Sequence, residues 1–176
     1  MRKLKLTELG RIGLEEYKVA DKTPLVVVLD NVRSALNVGS AFRTSDAFRI
    51  EKMVLCGITA KPPHRDINRS AIGATDSVDW SYEEDIRMAI LKLKEEKYTI
   101  LAIEQTDDKV FLQDYSVNSD DKYALIFGNE VSGVSAEILD LVDACIEIPQ
   151  IGTKHSLNVS VSLGVVLWEF YKNYQS

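Results

Sequence analysis

Residues that build covalent or metal frameworks are scarce in this sequence. Its 176 residues include only two cysteines and two histidines. Cys56 and Cys145 stand inside apolar stretches, no Cys-x-x-Cys pair occurs, and His64 and His155 are far apart in the chain. A disulfide framework or a structural zinc site is therefore not expected. We predict two buried, reduced thiols and no metal ion.

Long apolar runs are also missing. No stretch is long enough to cross a bilayer, and residues 1–9 are polar and basic, without the apolar segment of a secretory signal. Hydrophobic residues make up 45% and charged residues 27% of the chain, the balance of an ordinary folded domain. We expect a single domain in the cytoplasm, with no membrane contact.

A glycine-rich turn is absent where many cofactor-binding folds need one. The first predicted strand, residues 25–29, is followed by Asp30-Asn31-Val32-Arg33-Ser34, which contains no glycine. Rossmann folds place such a turn directly after the first strand, and a phosphate-binding Walker loop is missing too. The missing turn argues against a flavodoxin-like or dehydrogenase domain. Any cofactor must bind elsewhere.

Short apolar runs alternate with helical patterns along the chain. The predicted strands are nearly continuous in Val, Ile and Leu, as expected when both faces of a sheet are covered; they are residues 25–29, 53–57, 99–103, 123–127 and 145–148. The predicted helices are residues 41–48, 82–97, 136–142 and 157–171. This alternation predicts an α/β domain with a mostly parallel sheet flanked by helices. Residues 59–80 are predicted as a long loop that contacts substrate.

The charge is unevenly distributed. A net charge of −6 argues against a general nucleic-acid coat. Residues 31–70, however, carry seven Lys or Arg against three acids, whereas residues 71–147 carry six against eighteen. A basic face on an acidic body suits contact with phosphates at one place. An ordinary solvated charge pattern explains the numbers equally well.

The first polar segment that follows a strand is residues 31–44. We predict a turn at Asn37-Val38-Gly39, a helix N-cap at Ser40, and Arg43 in the first turns of the helix that follows. Taken alone, a loop, a cap and an exposed arginine explain this segment.

The second segment, residues 125–134, leads from a buried strand into Gly128-Asn129-Glu130. Gly128 and Gly133 permit a close approach of backbone or a positive φ. A plain turn explains the glycines but not the Asn-Glu pair. Glu130 closely follows a buried strand, where an ionised side chain without a partner is unfavourable. We therefore predict a hydrogen-bonded carboxylate in a cleft.

The third segment, residues 146–162, ends a strand at Pro149 and continues into a polar loop that contains Gly152. Ser156 is predicted to cap the last helix. Small polar residues alternate at the start of this helix, more than one cap requires; they are Ser156, Asn158, Ser160 and Ser162. They indicate a place where backbone or a ligand packs closely.

Together the three segments resemble the three motifs of the SpoU/TrmH group of SPOUT methyltransferases. The matching residues are Asn37-x-Gly39-x-x-x-Arg43, Phe127-Gly128-Asn129-Glu130-x-x-Gly133 and Ile148-Pro149-x-x-Gly152-x-x-x-Ser156-Leu157-Asn158-Val159-Ser160. Each motif alone has little specificity, whereas three in the family's order are specific, and the likeness covers residues 25–171. The resemblance implies an RNA ribose 2′-O-methyltransferase that uses S-adenosylmethionine, a C-terminal trefoil knot in the α/β fold, and a homodimer.

The resemblance also implies roles for individual residues. The catalytic set is Arg43, Asn37, Glu130, Ser156 and Asn158. The donor-binding set is Gln105, Thr106, Phe127, Gly128, Asn129, Glu130, Ile148, Gln150, Ser156, Leu157 and Asn158. Since guanidinium keeps its proton in proteins, we expect Arg43 to orient a phosphate and stabilise the developing alkoxide. Asn37 and Glu130 are expected to fix the nucleotide or Arg43. For Ser160 and Ser162 we favour close packing in the knot or a dimer interface.

RNA contacts are expected from the catalytic domain itself, because the sequence carries no separate RNA-binding domain. We divide the chain into an N-terminal segment, residues 1–20, and a catalytic domain, residues 21–176. The RNA-binding set is Arg33, Arg43, Lys61, Arg65, Arg69 and Lys154. Lys154-His155 either contacts phosphate or belongs to a solvated loop. A structured RNA is expected as the partner, tRNA ahead of rRNA.

Two alternatives keep the same fold. One is a non-catalytic RNA-binding module, against which the retention of Asn37, Arg43 and Glu130 speaks. The other is a SPOUT enzyme that methylates a base. Such enzymes resemble this chain less in the first motif, which contains Arg43.

Overall fold

The computed structural model describes residues 1–175, without the side chain of Leu6. Seven strands form one sheet: β1 (Thr23–Asp30), β2 (Ile50–Cys56), β3 (Trp80–Glu83), β4 (Tyr98–Ile103), β5 (Val110–Phe111), β6 (Lys122–Phe127) and β7 (Ala144–Glu147). Their order is β3-β2-β1-β6-β4-β7-β5, and every neighbouring pair is parallel. The predicted parallel α/β architecture is confirmed.

Six α-helices accompany the sheet in the described residues: α1 (Leu14–Val19), α2 (Ala35–Ala47), α3 (Arg65–Ala71), α4 (Ala74–Ser77), α5 (Ile86–Glu95) and α6 (Val159–Tyr171). Short 3-10 helices lie at Leu6–Glu8, Leu112–Asp114, Ala136–Leu141 and Lys172–Gln175. No helix among residues 1–175 is long and apolar enough to cross a membrane.

Alternate side chains of the strands enter two separate cores. Leu25, Val27 and Leu29 of β1 pack in a cluster with buried residues of α2 and α6. Val26 and Val28 pack in a second cluster with buried residues of α5. This alternation follows from the two-residue period of a strand, and it explains why the strand sequences are apolar throughout. Helices therefore cover both faces of the sheet.

All five predicted strands are present, and two short ones were missed. β3 leaves its side chains half-buried or exposed, and both residues of β5 are exposed, so neither has an apolar signature. The helix predicted at residues 82–97 starts later. Asp85 caps α5 by accepting a hydrogen bond from the Arg87 N–H at 2.8 Å, after β3 has ended. The helix predicted at residues 136–142 is the 3-10 helix Ala136–Leu141.

The turn and cap predicted in the first motif are wrong. Helix α2 begins at Ala35, and Ser34 caps it by accepting from the Asn37 N–H at 3.3 Å. Ser40 therefore lies inside the helix. A Cβ added to Gly39 would lie 2.1 Å from the Ser70 Oγ of α3. The motif glycine is thus required for close packing of two helices rather than for a turn.

The loop predicted at residues 59–80 is wrong as well, because the segment contains α3 and α4. His64 caps α3 through its Nδ1, which accepts from the Asp66 N–H at 3.2 Å. Ile67, Ala71 and Ala74 are buried in the first core. These apolar positions are too few for a visible helical period.

The cap of the last helix is displaced from the predicted Ser156. Asn158 caps α6, and its Oδ1 accepts from the Ser160 N–H at 2.9 Å. The N-terminal segment packs on the domain through Tyr17 of α1, which is buried in the first core. Both cysteines are buried and free, as predicted. Burial, together with the nearby charge of Asp30, raises the pKa of Cys56 to about 12.

Candidate active site

A cavity of about 490 Å³ opens at the carboxyl ends of β4, β6 and β7. Parallel strands end at the same edge of a sheet, so the loops that follow them meet there. The lining combines apolar residues with polar groups: Ile103, Glu104, Gln105, Phe127, Gly128, Asn129, Glu130, Val131, Ser132, Gly133, Ile146, Glu147, Ile148, Gln150, His155, Ser156, Leu157, Asn158, Val159 and Ser162.

The loop after β6, residues 128–134, folds back on itself. Asn129 and Gly133 exchange two backbone hydrogen bonds, of 2.9 and 3.0 Å. The Asn129 Oδ1 accepts from the N–H groups of Val131 and Ser132, while its Nδ2 donates to the Asn31 carbonyl at 2.7 Å. A Cβ at Gly128 would lie 2.1 Å from the Gly133 carbonyl carbon, which is why this position requires glycine. The loop is therefore tightly folded and joined to the end of β1.

Glu130 connects the second motif to the first. Its carboxylate accepts from the backbone N–H groups of Arg33 at 2.9 Å and Ser34 at 3.0 Å. It also accepts from the Asn37 Nδ2 at 2.9 Å. The hydrogen-bonded carboxylate that the sequence predicts is confirmed. Its side-chain partner is Asn37. Arg43, the other partner expected for Glu130, forms no hydrogen bond or ion pair with it within residues 1–175.

The pKa of Glu130 reflects these contacts. Partial burial raises the pKa of the Glu130 carboxyl, but the hydrogen bonds from Arg33, Asn37 and Ser34 together outweigh burial. The pKa therefore lies below its ordinary value. Glu130 is ionised at neutral pH and accepts hydrogen bonds only.

Asn37 connects the first motif to the third. While its Nδ2 donates to Glu130, its Oδ1 accepts from the Asn158 Nδ2 at 3.2 Å. Asn158 in turn accepts from the Ser160 hydroxyl at 2.6 Å. One chain of hydrogen bonds thus joins residues from all three motifs. It holds the loop after β6, the start of α2 and the start of α6 in a fixed arrangement.

The loop after β7 has free hydrogen-bonding groups. Residues 151–158 are exposed, and no backbone N–H from Gln150 to Leu157 has an acceptor within residues 1–175. The loop is tied to the end of β4 by Gln105, whose Nε2 donates to the His155 carbonyl at 3.2 Å. Of these residues, Gln150, His155, Ser156 and Leu157 line the cavity, and their N–H groups are available to a polar ligand there.

Most of the predicted donor-binding residues line this one cavity. The structure brings together Gln105, Phe127, Gly128, Asn129, Glu130, Ile148, Gln150, Ser156, Leu157 and Asn158. Thr106 lies outside the lining, and its hydroxyl donates to the Asp108 carbonyl at 3.0 Å. Glu104, Glu147 and His155 also line the cavity but were not predicted. Glu104 directly precedes Gln105 at the end of a predicted strand, which was the only signal for it.

Arg43 does not line this cavity. It lines a second groove, of about 810 Å³, between α2, α4 and the N-terminal segment. Arg11 and Arg49 line the same groove, with Tyr171 of α6. Arg43 is exposed and forms no ion pair or side-chain hydrogen bond within residues 1–175. Within one chain, Arg43 therefore does not line the cavity that Glu130, Ser156 and Asn158 line.

The remaining predicted RNA-binding residues are exposed. Arg65 and Arg69 are one turn apart on α3, and Arg65 pairs with Asp66 at 3.2 Å. Lys61 lies over the ring of Tyr82, with its Nζ 3.6 Å from the ring centroid. Arg33 and Lys154 are exposed in the loops after β1 and β7; the Arg33 backbone donates to Glu130.

The SpoU rRNA Methylase family profile matches residues 24–168. The chain belongs to this family. A tRNA (guanosine(18)-2′-O)-methyltransferase of Thermus thermophilus is 32% identical over 163 residues, which are 93% of this chain and 82% of that protein. A 23S rRNA (guanosine-2′-O-)-methyltransferase of Neisseria meningitidis is 28% identical over 146 residues, which are 83% of this chain and 57% of that protein.

Two solved structures share the fold of this chain. The TrmH/SpoU tRNA modifying enzyme of A. aeolicus superimposes with a TM-score of 0.81 at 27% identity, over 92% of this chain and 81% of that one. The AdoMet-bound rRNA methyltransferase of Sinorhizobium meliloti superimposes with a TM-score of 0.79 at 25% identity, over 86% of this chain and 57% of that one.

The cavity of this SpoU-family chain fits S-adenosylmethionine. Its volume lies in the range of small-molecule sites, about 300–1,000 Å³. Phe127, Ile148 and Leu157 offer an apolar surface for adenine. The free N–H groups of Gln150 and residues 155–157 suit its ring nitrogens or a carboxylate. The carboxylate of Glu130 complements a cationic sulfonium or ammonium group. The residues present therefore fit the donor that the resemblance implies.

Proposed function

We propose that this SpoU-family protein transfers a methyl group from S-adenosylmethionine to a ribose 2′-hydroxyl of a structured RNA, tRNA ahead of rRNA. The observation that carries the proposal is the hydrogen-bonded chain Glu130–Asn37–Asn158, which joins all three motifs at the rim of one donor-sized cavity. A relative of similar length, the Thermus thermophilus enzyme named for guanosine 18 of tRNA, supports tRNA as the first substrate to test.

The protein's residues have to align two reactants and help a hydroxyl proton to leave. When bound, the donor supplies a methyl group on a positively charged sulfur, so it needs no further activation. Asn37 and Asn158 shape the rim where the ribose approaches, and Glu130 holds Asn37 in place. Arg43 binds the neighbouring phosphate and stabilises the developing alkoxide, while the proton leaves to phosphate or water.

The proposal is tested by methyl transfer from labelled S-adenosylmethionine into unmodified tRNA and, separately, into rRNA fragments. Label that resists alkaline cleavage at its own nucleotide establishes a 2′-O-methyl group. Label at a nucleotide that alkali still cleaves would identify a base methyltransferase. Donor binding without transfer to either RNA would favour the non-catalytic RNA-binding module.

Arg43→Ala is expected to lower kcat about 100-fold, the effect of removing one preorganised group that stabilises developing negative charge. Arg43→Lys retains the charge but not the planar fork, so we expect partial activity. Turnover is measured at saturating donor, with RNA binding measured separately. Arg87→Ala, on the far face of the sheet, is the control for the loss of an exposed arginine, although it also removes a hydrogen bond of 2.7 Å to the Glu137 carbonyl. Near-wild-type turnover of Arg43→Lys would mean that planar recognition is not required.

We further propose a homodimer that completes the site. Val161, Val165 and Trp168 form an exposed apolar stripe on α6, with exposed fractions of 52%, 41% and 56%. Leu157, at the rim of the donor cavity, continues the stripe at 39% exposure. We propose that a second copy covers this stripe and supplies its Arg43 to the site. The absence of Arg43 from the lining of the donor cavity in one chain supports a site that two chains form together.

Val165→Glu is expected to convert the dimer to a monomer, because a charge buried in an apolar interface lacks a partner. The measurement is mass in solution by light scattering over a range of concentrations. Leu91→Glu is the matched control, since Leu91 is 45% exposed on α5 at the other face of the sheet. A wild-type chain that is monomeric at every concentration would exclude the dimer.

Four further expectations belong to this proposal. The trefoil knot is supported by the chain path, because β6 lies between β1 and β4 and the segment after β7 returns to place α6 beside α2. The division into residues 1–20 and 21–176 stays a prediction. Cytoplasmic localisation is supported by the proposed tRNA and rRNA substrates. The exposed bases Arg33, Lys61, Arg65, Arg69 and Lys154 are proposed RNA contacts, whose loss should reduce the salt dependence of binding.

A further inference from the structure

Glu104 joins two strands and a loop at the floor of the donor cavity. It follows the last residue of β4, and its backbone N–H donates to the Ile146 carbonyl of β7 at 3.1 Å. Its Oε2 accepts from the Val134 N–H at 2.8 Å, and its Oε1 accepts from the Gln105 N–H at 2.8 Å. Both carboxylate oxygens are therefore used to hold backbone. Neither the motifs nor the mechanism assigns this residue a role.

Gly133 is shaped to receive this carboxylate. It has a φ of +70°, and a Cβ added there would lie 2.1 Å from the Glu104 Oε2. On the opposite side of the loop, a Cβ at Gly128 would lie 2.1 Å from the backbone nitrogen of Val134. The end of the loop, Gly133 and Val134, is thus packed between the Glu104 carboxylate and the Gly128 backbone. Glu104 and Gly133 form a matched pair, in which the carboxylate occupies the space that a side chain would need.

The loop that Glu104 holds also carries Glu130. Residues 128–133 line the cavity, and the next residue, Val134, donates its backbone N–H to Glu104. Any shift of this loop moves the wall of the cavity and the start of the chain of hydrogen bonds through Asn37. We propose that Glu104 is a positioning residue: its carboxylate clamps the loop against the end of β4 and thereby sets the affinity for the methyl donor. This inference rests on the proposed function.

The test is donor affinity of the full chain, measured by calorimetry on folded protein. Glu104→Ala is expected to raise the Kd of S-adenosylmethionine about 10- to 100-fold, the effect of losing a hydrogen bond to a charged group. The kcat at saturating donor is expected to change less than about threefold, because the bound donor restores the loop. Glu104→Gln should give an intermediate Kd, since its amide can accept one N–H but opposes the other.

A double substitution separates positioning from general stability. Gly133→Ala alone is expected to weaken donor binding at least as much as Glu104→Ala, because the new Cβ meets the carboxylate. In the Glu104→Ala background the same change should cost only a few-fold, because only the positive φ remains unfavourable. Gly73→Ala is the matched control for donor affinity, since Gly73 has a φ of +84° and no atom within 4 Å of an added Cβ.

Unchanged donor affinity in folded Glu104→Ala would overturn the inference, as would strictly additive effects of the two substitutions. A wild-type chain that binds no donor would instead overturn the proposed function. In that case the clamp is judged from hydrogen exchange of the Val134 amide in the donor-free protein. Faster exchange in Glu104→Ala supports the clamp, and equal exchange refutes it.

Discussion

Glu130→Ala is expected to lower kcat/KM for methyl transfer by about 100- to 1,000-fold. The substitution removes the acceptor of three hydrogen bonds at once, from Arg33, Ser34 and Asn37. A hydrogen bond to a charged group contributes about 1.5–3 kcal/mol when shielded and less where solvent enters, so we expect a joint loss of about 3–4 kcal/mol. Asn37 is then free to rotate, and its contact with Asn158 is lost with it.

Two variants control this prediction. Glu130→Gln retains one acceptor oxygen, so we expect a smaller loss of activity. Glu137→Ala removes an exposed glutamate whose side chain makes no hydrogen bond within residues 1–175, and it should retain wild-type activity. The assay is initial-rate methyl transfer with donor and RNA varied separately. Glu130→Ala with more than a third of wild-type kcat/KM would show that the connection between the motifs is dispensable.

The lowered pKa of Glu130 also determines how the site responds to pH. Because the folded pKa lies below the unfolded value of about 4.3, the ionised carboxylate contributes stability above the unfolded pKa. That contribution is lost as the pH falls through the folded pKa. Acidification through the folded pKa of Glu130, which lies below the ordinary value, should therefore weaken the hold on the loop that carries Glu130.

Phe170→Ala is expected to lower the free energy of unfolding by about 3–5 kcal/mol, the usual cost of removing a buried aromatic ring. Phe170 of α6 is fully buried. Its ring centroid is 5.2 Å from that of Tyr123 and 5.8 Å from that of Tyr115. The three rings belong to one packed group, so alanine would leave a cavity in a close-packed core.

Denaturant unfolding measures this effect, with Glu169→Ala as the matched control on the same helix. Glu169 forms a surface ion pair with Lys172 at 2.7 Å, which contributes at most about 1 kcal/mol. A loss below about 1.5 kcal/mol for Phe170→Ala would mean that α6 is not an integral part of the core. Because α6 starts at the cavity rim, donor affinity should fall together with stability.

The strands could be predicted because their sequences are apolar throughout, and β3 and β5 could not because they are short and incompletely buried. The segment containing α3 and α4 was interpreted as a loop, since its apolar residues are too few to form a period. Gly39 illustrates a motif residue recognised for the wrong reason. The pattern predicts a turn, but the contact with Ser70 shows that the residue permits two helices to pack closely.

The sequence by itself determined the α/β class, the buried strands and the three motifs that identify the family. These depend on local periodicity and on residue types at fixed spacing. Only the tertiary structure decided which polar groups meet. Glu130 and Asn37 are 93 positions apart, and Asn37 and Asn158 are 121 apart. Their contact requires β6 to lie between β1 and β4, an order that no local pattern encodes. The same order places Glu104, at the end of β4, against Gly133 in the loop after β6.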